Sequence, residues 1–277
     1  MVNRACISIN NSCNLNCKYC HFHEKIDSIQ SEEMDVMVIL DNIMHYIDCN
    51  DIEVFKLGFV GNGEPLLEYD DLKEYILYIS EYLAAGRIVA YSITNGLLVN
   101  ESVLEFFKTH RVNLGFSIDG LPSIHDMYRC KTHAKVMEKI ELYRTVNGKY
   151  PSMNCTVGKE VLEKADETIN FFKQFDTRVT FSRMIGKYGI TLKEFNEFLK
   201  TAARTLNVGT GGYDCTMYGG LCGAGMNNFF YANGKIYFCG NCVDLPALGE
   251  SSMSISELEK VSLVFDRTHC YKETICE

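Results

Sequence analysis

Three cysteines, Cys13, Cys17 and Cys20, stand together in the segment CNLNCKYC, three residues separating the first pair and two the second. Thiolates are soft metal ligands, but three of them are one short of the closed tetrahedron of a structural zinc site. Either a fourth ligand arrives from elsewhere, His21 and His23 being the nearest, or one coordination position is left open. A second group lies toward the other end of the chain: Cys215, Cys222, Cys239, Cys242, Cys270 and Cys276. Cys6, Cys49, Cys130 and Cys155 are scattered and read as small apolar residues or surface thiols.

The chain has 277 residues, thirteen of them cysteine, with 47% apolar residues and a net charge of −9. That apolar fraction supports a core of one α/β barrel-like domain with an addition. The negative balance argues against non-specific nucleic-acid binding and against attraction to anionic membranes. No run reaches the roughly 18 apolar residues of a spanning helix, and the N-terminus has no apolar stretch of signal-peptide length. A cytoplasmic location is expected. Disulfides are reduced there, so clustered cysteines point to metal or catalysis.

The elements that must position these residues alternate. ACISIN, VFKLGFVG, RIVAYSIT, VNLGFSI, PSMNCTVG and RVTFSRM read as six strands. Each is followed by a helical pattern. In SEEMDVMVILDNIMHYI, for example, Val36, Leu40, Ile43 and Ile47 fall at helical spacing, with Ser31 as the expected cap. YDDLKEYILYISEYLAAG reads as one helix, and another is expected within residues 133–146. Six alternating units predict an α/β fold, a parallel sheet with helices outside, arranged as a partial six-unit barrel. The strands read as near-continuously apolar, as burial on both faces would require.

Ligands in such sheets sit beyond the carboxyl ends of the strands. The cysteine loop follows strand one, GNGEP strand two and TNG strand three, while SIDG straddles the end of strand four. After about residue 207 the texture becomes glycine-rich. MNNFFYANGKIYFC then reads as a hairpin with a type I′ turn at Asn233-Gly234, and SISELEKV as a short helix. The expected organisation is a barrel over 1–207 and a small cysteine-bearing hairpin and helix appendage over 208–277.

In a 4Fe–4S cube, each iron takes one ligand from outside the cube. Three cysteines on one loop serve three irons and leave the fourth to a small molecule whose amine and carboxylate can chelate it. S-adenosylmethionine (SAM) offers both, beside a reducible sulfonium. The loop, with Tyr19 before its last cysteine, resembles the CxxxCxxC motif of the radical SAM superfamily. GNGEP resembles that family's motif after strand two, and FSIDGLPSIHDMYR resembles a segment of its subgroup with accessory iron–sulfur clusters. Zinc on the three cysteines with His21 or His23 would account for one thiol group, but not for a glycine–acid loop at the next strand end.

The resemblance implies site residues. Glu64 is expected to pair with the ammonium of the methionine part, with Gly61 and Gly63 letting the backbone come close to it. Asn62 stands where relatives more often have glycine, and the turn is expected to stay intact there because Asn tolerates left-handed geometry. Ser117 and Asp119 match the segment that reaches the ribose hydroxyls. Arg129 matches a guanidinium near the methionine carboxylate, and Asn95 is a further contact. CGAGMNNFFYANGKIYFC resembles the opening of the SPASM and twitch accessory domains, which carry one or two extra clusters. One auxiliary 4Fe–4S cluster is expected, on Cys222 and Cys239 with Cys270 and Cys276 as the closing pair. Cys242 and Cys215 are alternatives.

The function so implied is enzymatic. A reduced flavodoxin or ferredoxin supplies an electron, SAM is cleaved to methionine and a 5′-deoxyadenosyl radical, and that radical takes hydrogen from a substrate. The expected outcome is an oxidative change, a cross-link or dehydrogenation, in a ribosomally made peptide or a protein residue. The motif begins almost at the N-terminus, so no leader-binding domain is expected before it, which counts slightly against a peptide maturase. Dehydrogenation of a small-molecule alcohol is the alternative. An iron–sulfur electron carrier is the non-enzyme alternative, although a carrier has no use for a ligand pocket.

Overall fold

The short apolar strands and the amphipathic stretches between them form the expected repeating units. The structure, a computed structural model, describes residues 1–20, 22, 32–209, 221–261 and 267–270. β1 (Arg4–Ile7) leads to α1 (Val36–Cys49), and β2 (Phe55–Phe59) to α2 (Tyr69–Tyr78) and α3 (Ser80–Ala84). β3 (Ile88–Thr94) precedes α4 (Glu101–Thr109), and β4 (Asn113–Ser117) precedes α5 (Pro122–Tyr128) and α6 (His133–Asn147). β5 (Met153–Val157) is followed by α7 (Lys159–Glu163) and α8 (Ala165–Lys173), and β6 (Arg178–Arg183) by α9 (Leu192–Ala202). The short β7 (Asn207–Val208), then β8 (Asn228–Ala232), β9 (Lys235–Tyr237), β10 (Gly249–Glu250) and α10 (Ile255–Leu258) complete the chain.

One sheet holds all ten strands, in the order β10-β9-β8-β1-β2-β3-β4-β5-β6-β7. From β8 to β7 every pairing is parallel, whereas β9 and β10 continue antiparallel. The hairpin expected as an appendage is therefore continuous with the barrel sheet: Arg4–Ile7 pair in register with Asn228–Tyr231. The reason is the edge of β1, whose unpaired backbone groups need partners, and β8 supplies them. Asn233 and Gly234 turn the hairpin with φ of 55° and 76°, the two left-handed positions that a type I′ turn requires.

Local chemistry moves several boundaries. α1 begins at Val36 because the Asp35 carboxylate accepts from the N–H groups of Met37 and Val38; Ser31, the expected cap, lies outside the described residues. The helix expected over the YDDLKEYILYISEYLAAG segment breaks at Ile79 into α2 and α3. α5, absent from the sequence reading, starts with Pro122 in its first turn, where a missing N–H costs nothing.

The strands are not apolar on both faces. Ala5, Leu57, Leu114, Phe116, Val179 and Phe181 are buried toward the helices. Phe116 meets Tyr143 of α6 edge-on, and Phe181 lies between Phe172 of α8 and Phe198 of α9, with ring centroids 5.6 and 5.0 Å away. The alternate positions, Arg4, Cys6, Tyr91, Ser117, Asn154, Thr156, Thr180 and Ser182, face a cavity on the other side. The period of two thus gives each strand an apolar helix side and a mostly polar inner side. Among the described residues no helix is long and apolar enough to cross a membrane.

Removing the Phe181 ring tests how tightly the helix layer is packed. Phe181→Ala should cost about 3–5 kcal/mol in urea unfolding; a loss below about 1 kcal/mol would show that neighbouring rings refill the space.

Candidate cofactor-binding site

A cavity of about 490 Å³ is bounded by the loops that follow the strands and by the inner strand faces. That volume is in the range of small-molecule sites. Cys13, Cys17, Tyr19, Cys20, Gly61, Gly63, Glu64, Asn95, Ser117 and Arg129 all line it, and so do Cys222, Cys239 and Cys270. Asp119 does not. His21, His23, Cys215 and Cys276 lie outside the described residues.

Glu64, only 2% exposed, ties two strand ends together. Its Oε1 accepts from the Thr94 hydroxyl (2.6 Å) and the Leu66 N–H (3.2 Å), and its Oε2 accepts from the Asn95 N–H (2.7 Å). Burial holds the carboxyl above its usual range, and the donors pull it back. The backbone of Glu64 joins the cysteine loop as well: its N–H donates to the Ser12 carbonyl, and its carbonyl accepts from Asn10 Nδ2. Asn95 extends the link, its Nδ2 donating to Asn14 Oδ1 at 2.7 Å and lying 3.9 Å from the Cys13 sulfur.

Packing also requires the glycines of this loop. A Cβ at Gly61 would lie 2.4 Å from the Ser8 side chain, and one at Gly63 would lie 1.9 Å from Asn10 Oδ1. Both are glycine because the loop after β2 packs on the chain leaving β1. Asn62 is not left-handed, and neither are its glycine neighbours; its N–H donates to Ser8 Oγ.

A second buried carboxylate organises the neighbouring wall. Asp119 accepts from the Tyr19 hydroxyl (2.6 Å), Arg129 Nε (2.9 Å) and the Thr156 N–H (2.9 Å). At 1% exposure it is surrounded by these protein donors and does not line the cavity. Arg129 sits over the Tyr19 ring at 5.5 Å. Of its guanidinium nitrogens only Nε is hydrogen-bonded among the described residues, and Arg129 lines the cavity. The Ser117 hydroxyl makes no hydrogen bond among the described residues and also faces the cavity.

His125 and Thr132 hold this arrangement, and sequence reasoning missed both. The Asp119 N–H donates to His125 Nδ1, which leaves Nε2 to donate to Thr132 Oγ1; the Thr132 hydroxyl donates to the Arg129 carbonyl. Burial pulls His125 down to about 4, so the ring is neutral. Cys130 and Lys131 follow with φ of 55° and 57°, an unusual pair of left-handed non-glycine residues. This kink turns Arg129 inward and leaves Lys131 exposed.

The thiols come next. Burial pushes Cys13 up and Cys17 up to about 12; a bound iron would reverse this, because coordination favours the thiolate. Among the described residues no three His, Cys, Asp or Glu side chains converge to hold one metal ion. Cys13, Cys17 and Cys20 all border the cavity, and three thiols on one loop are a donor set that fits three corners of an iron–sulfur cube. Cys222, Cys239 and Cys270 border the same cavity, and the Cys242 sulfur lies 3.9 Å from that of Cys239. Cys6, read from sequence as a scattered thiol, also faces the cavity, 3.4 Å from the Tyr91 hydroxyl. Its alternation with Arg4 on β1 was the signal that could have placed it there.

Known proteins share this arrangement of elements. The family description Radical SAM superfamily matches residues 7–172. The cysteine-type anaerobic sulfatase-maturating enzyme of Clostridium novyi (strain NT) is 27% identical over 206 residues, which is 68% of this chain and 55% of that protein. The serine-type anaerobic sulfatase-maturating enzyme of Bacteroides thetaiotaomicron is 29% identical over 173 residues, 59% of this chain and 41% of that protein. The chain thus spans about half the length of the curated relatives it matches. In fold it is similar to native anSMEcpe with bound AdoMet, with a TM-score of 0.73 at 21% identity over 93% of this chain and 80% of that one. That likeness concerns the fold alone.

Glu64→Gln isolates the role of the buried carboxylate. An amide can accept on one side only, so either the Asn95 N–H or the Thr94 and Leu66 donors must face an NH₂ group. The expected cost is about 1–3 kcal/mol, read as a fall of several degrees in the melting temperature of the protein before any cofactor is loaded. An unchanged melting temperature would show that the strand-end loops do not depend on Glu64.

Proposed function

The chain belongs to the radical SAM superfamily, and from that premise we propose that it cleaves SAM reductively to modify a peptide or protein residue oxidatively. Membership implies a 4Fe–4S cluster and SAM. The observation that carries the reading is that the amino-terminal thiols and a second group of thiols open onto one cavity. When bound, the cluster would supply one electron to the SAM sulfonium, releasing methionine and a 5′-deoxyadenosyl radical able to take a hydrogen atom.

The residues around the cavity divide the task. Cys13, Cys17 and Cys20 hold the cluster. The terminal nitrogens of Arg129 suit a carboxylate, in the two-pronged pairing that guanidinium geometry favours. The loop of Gly61 and Gly63, kept in place by Glu64, borders the position for an ammonium; Glu64 acts mainly by fixing that loop, since its oxygens already hold three protein donors. Ser117 offers a hydroxyl to the ribose, Tyr19 and Asp119 hold Arg129, and Asn95 steadies the loop at Cys13.

Residues 208–277 form, in this reading, a SPASM- or twitch-like region with one auxiliary 4Fe–4S cluster. Cys222, Cys239 and Cys270 are its ligands, completed by Cys276, with Cys242 and Cys215 as the alternatives. The place of Cys222, Cys239 and Cys270 on the cavity wall supports an electron acceptor within reach of a substrate radical. The curated relatives, named as maturases of sulfatases, support a protein residue as the target. The electron source is a reduced flavodoxin or ferredoxin.

Anaerobic reconstitution tests both thiol groups together. The wild-type protein should take up about eight irons and convert SAM to 5′-deoxyadenosine with dithionite. Replacing Cys13, Cys17 and Cys20 by alanine should remove about half of that iron and all of the 5′-deoxyadenosine. A triple variant that still makes 5′-deoxyadenosine would sink the proposal.

A further inference from the structure

One cysteine of the cavity wall belongs to neither ligand group. Cys6 lies within β1, on the strand face that lines the cavity, and is half-buried. Its surroundings follow from the register of the sheet. Phe230, Cys6, Gly58 and Tyr91 stand opposite one another on β8, β1, β2 and β3. Gly58 has no side chain to fill its part of this row, and the Tyr91 ring lies there instead. A Cβ on Gly58 would stand 2.7 Å from Tyr91 Cζ and 2.8 Å from its hydroxyl oxygen. The Tyr91 hydroxyl thereby crosses β2 and meets the Cys6 sulfur at 3.4 Å. Cys6 also packs against the apolar cluster of Phe230, Ala232, Tyr237 and Val243.

This setting keeps a hydrogen on the sulfur. Burial pushes the Cys6 thiol up, and the hydrogen bond with Tyr91 pulls the other way without cancelling it. A thiol S–H bond is weaker than an unactivated C–H bond, so a carbon radical beside it takes its hydrogen atom downhill. An aliphatic hydroxyl in the same place does not serve, because its O–H bond is stronger. A cysteine that holds iron does not serve either, because it binds as the thiolate and carries no hydrogen.

We propose that Cys6 gives a hydrogen atom to carbon radicals formed in the cavity, with Tyr91 as the residue that positions its sulfur, and that the site thereby has a second, redox-neutral activity on a stereogenic C–H centre. The inference rests on the radical SAM reading but not on its oxidative outcome. In the step, the Cys6 S–H bond breaks and a C–H bond forms, leaving a radical on sulfur. One electron from the reduced flavodoxin or ferredoxin and one proton from solvent restore the thiol. The fold sets the direction of return. The radical is generated at the loop of residues 13–20, beyond the end of β1, whereas Cys6 stands on the inner face of β1 itself. A hydrogen taken from one side of a carbon and returned from the other inverts that centre.

The test needs no substrate, because the 5′-deoxyadenosyl radical is itself a carbon radical in the same cavity. A thiol hydrogen exchanges with solvent, and a carbon-bound hydrogen does not. Reconstituted wild-type protein, Cys6→Ser, Cys6→Ala and Tyr91→Phe are each given unlabelled SAM and dithionite in deuterium oxide. Mass spectrometry reads the deuterium in each 5′-deoxyadenosine formed, so a change in rate does not enter, and iron is measured in every sample. Most of the wild-type product should be one mass unit heavier. Both Cys6 variants should lose most of that shift at unchanged iron content. Tyr91→Phe, which keeps the ring over Gly58 and removes the hydroxyl, should lose part of it. An unlabelled wild-type product, or a label kept in both Cys6 variants, overturns the donor. A loss of iron in both Cys6 variants also overturns it, because Cys6 would then be a ligand. A full label in Tyr91→Phe overturns the positioning role. No 5′-deoxyadenosine from the wild type would overturn the radical SAM reading first, and the donor with it.

Discussion

A carboxylate without water around it is tolerable only where donors surround it, and Glu64 gathers three, two from the end of β3 and one from the turn that follows Glu64 itself. That requirement shapes the upper part of the barrel. The loop after β2 must close down on the ends of β1 and β3, which leaves no room for a Cβ at Gly61 or Gly63. The cysteine loop is then held from both sides, by Asn10 and Ser12 toward Glu64 and by Asn14 toward Asn95. Asp119 repeats the device one strand further on, with Tyr19, Arg129 and the backbone of Thr156 as its donors. Two satisfied carboxylates thus convert four strand ends into one rigid rim. A cofactor site needs this rigidity, because supporting groups decide where ligating and binding groups point.

Much of this was legible in the residue pattern. Six strand–helix units and a carboxyl-end location for the motifs follow from alternation and chain order, and the Asn233-Gly234 turn from its two residues alone. What the pattern could not show was partnership across the sheet. Nothing in NFFYA says that it pairs with β1, because an edge strand and an appendage hairpin look alike until the partner is known. Likewise, a carboxylate in a motif reads as a ligand contact, and nothing in the motif shows that Thr94, Asn95, Tyr19 and Thr156 supply donors to Glu64 and Asp119. His125 and Thr132 were invisible for the same reason: each matters through a neighbour, Asp119 or Arg129, and not through a motif of its own.

The pairing of β8 with β1 has a consequence for chemistry. It brings the carboxy-terminal cysteines to the rim where the amino-terminal loop already stands, so that both groups share one cavity. In the proposed reading, a substrate between them would meet a radical source on one side and an electron acceptor on the other. The inner strand faces place polar groups such as Asn154, Thr156 and Thr180 in a cavity otherwise lined largely by apolar side chains, the usual make-up of a small-molecule site.

The central claim is that three cysteines hold a cluster whose open iron binds SAM. Electron paramagnetic resonance of the reconstituted, reduced protein with and without SAM tests it most directly. The account predicts a reduced-cluster signal that shifts on adding SAM and is lost when Cys13, Cys17 and Cys20 are alanine. A spectrum indifferent to SAM, or a SAM-sensitive signal that survives in the triple variant, would contradict it.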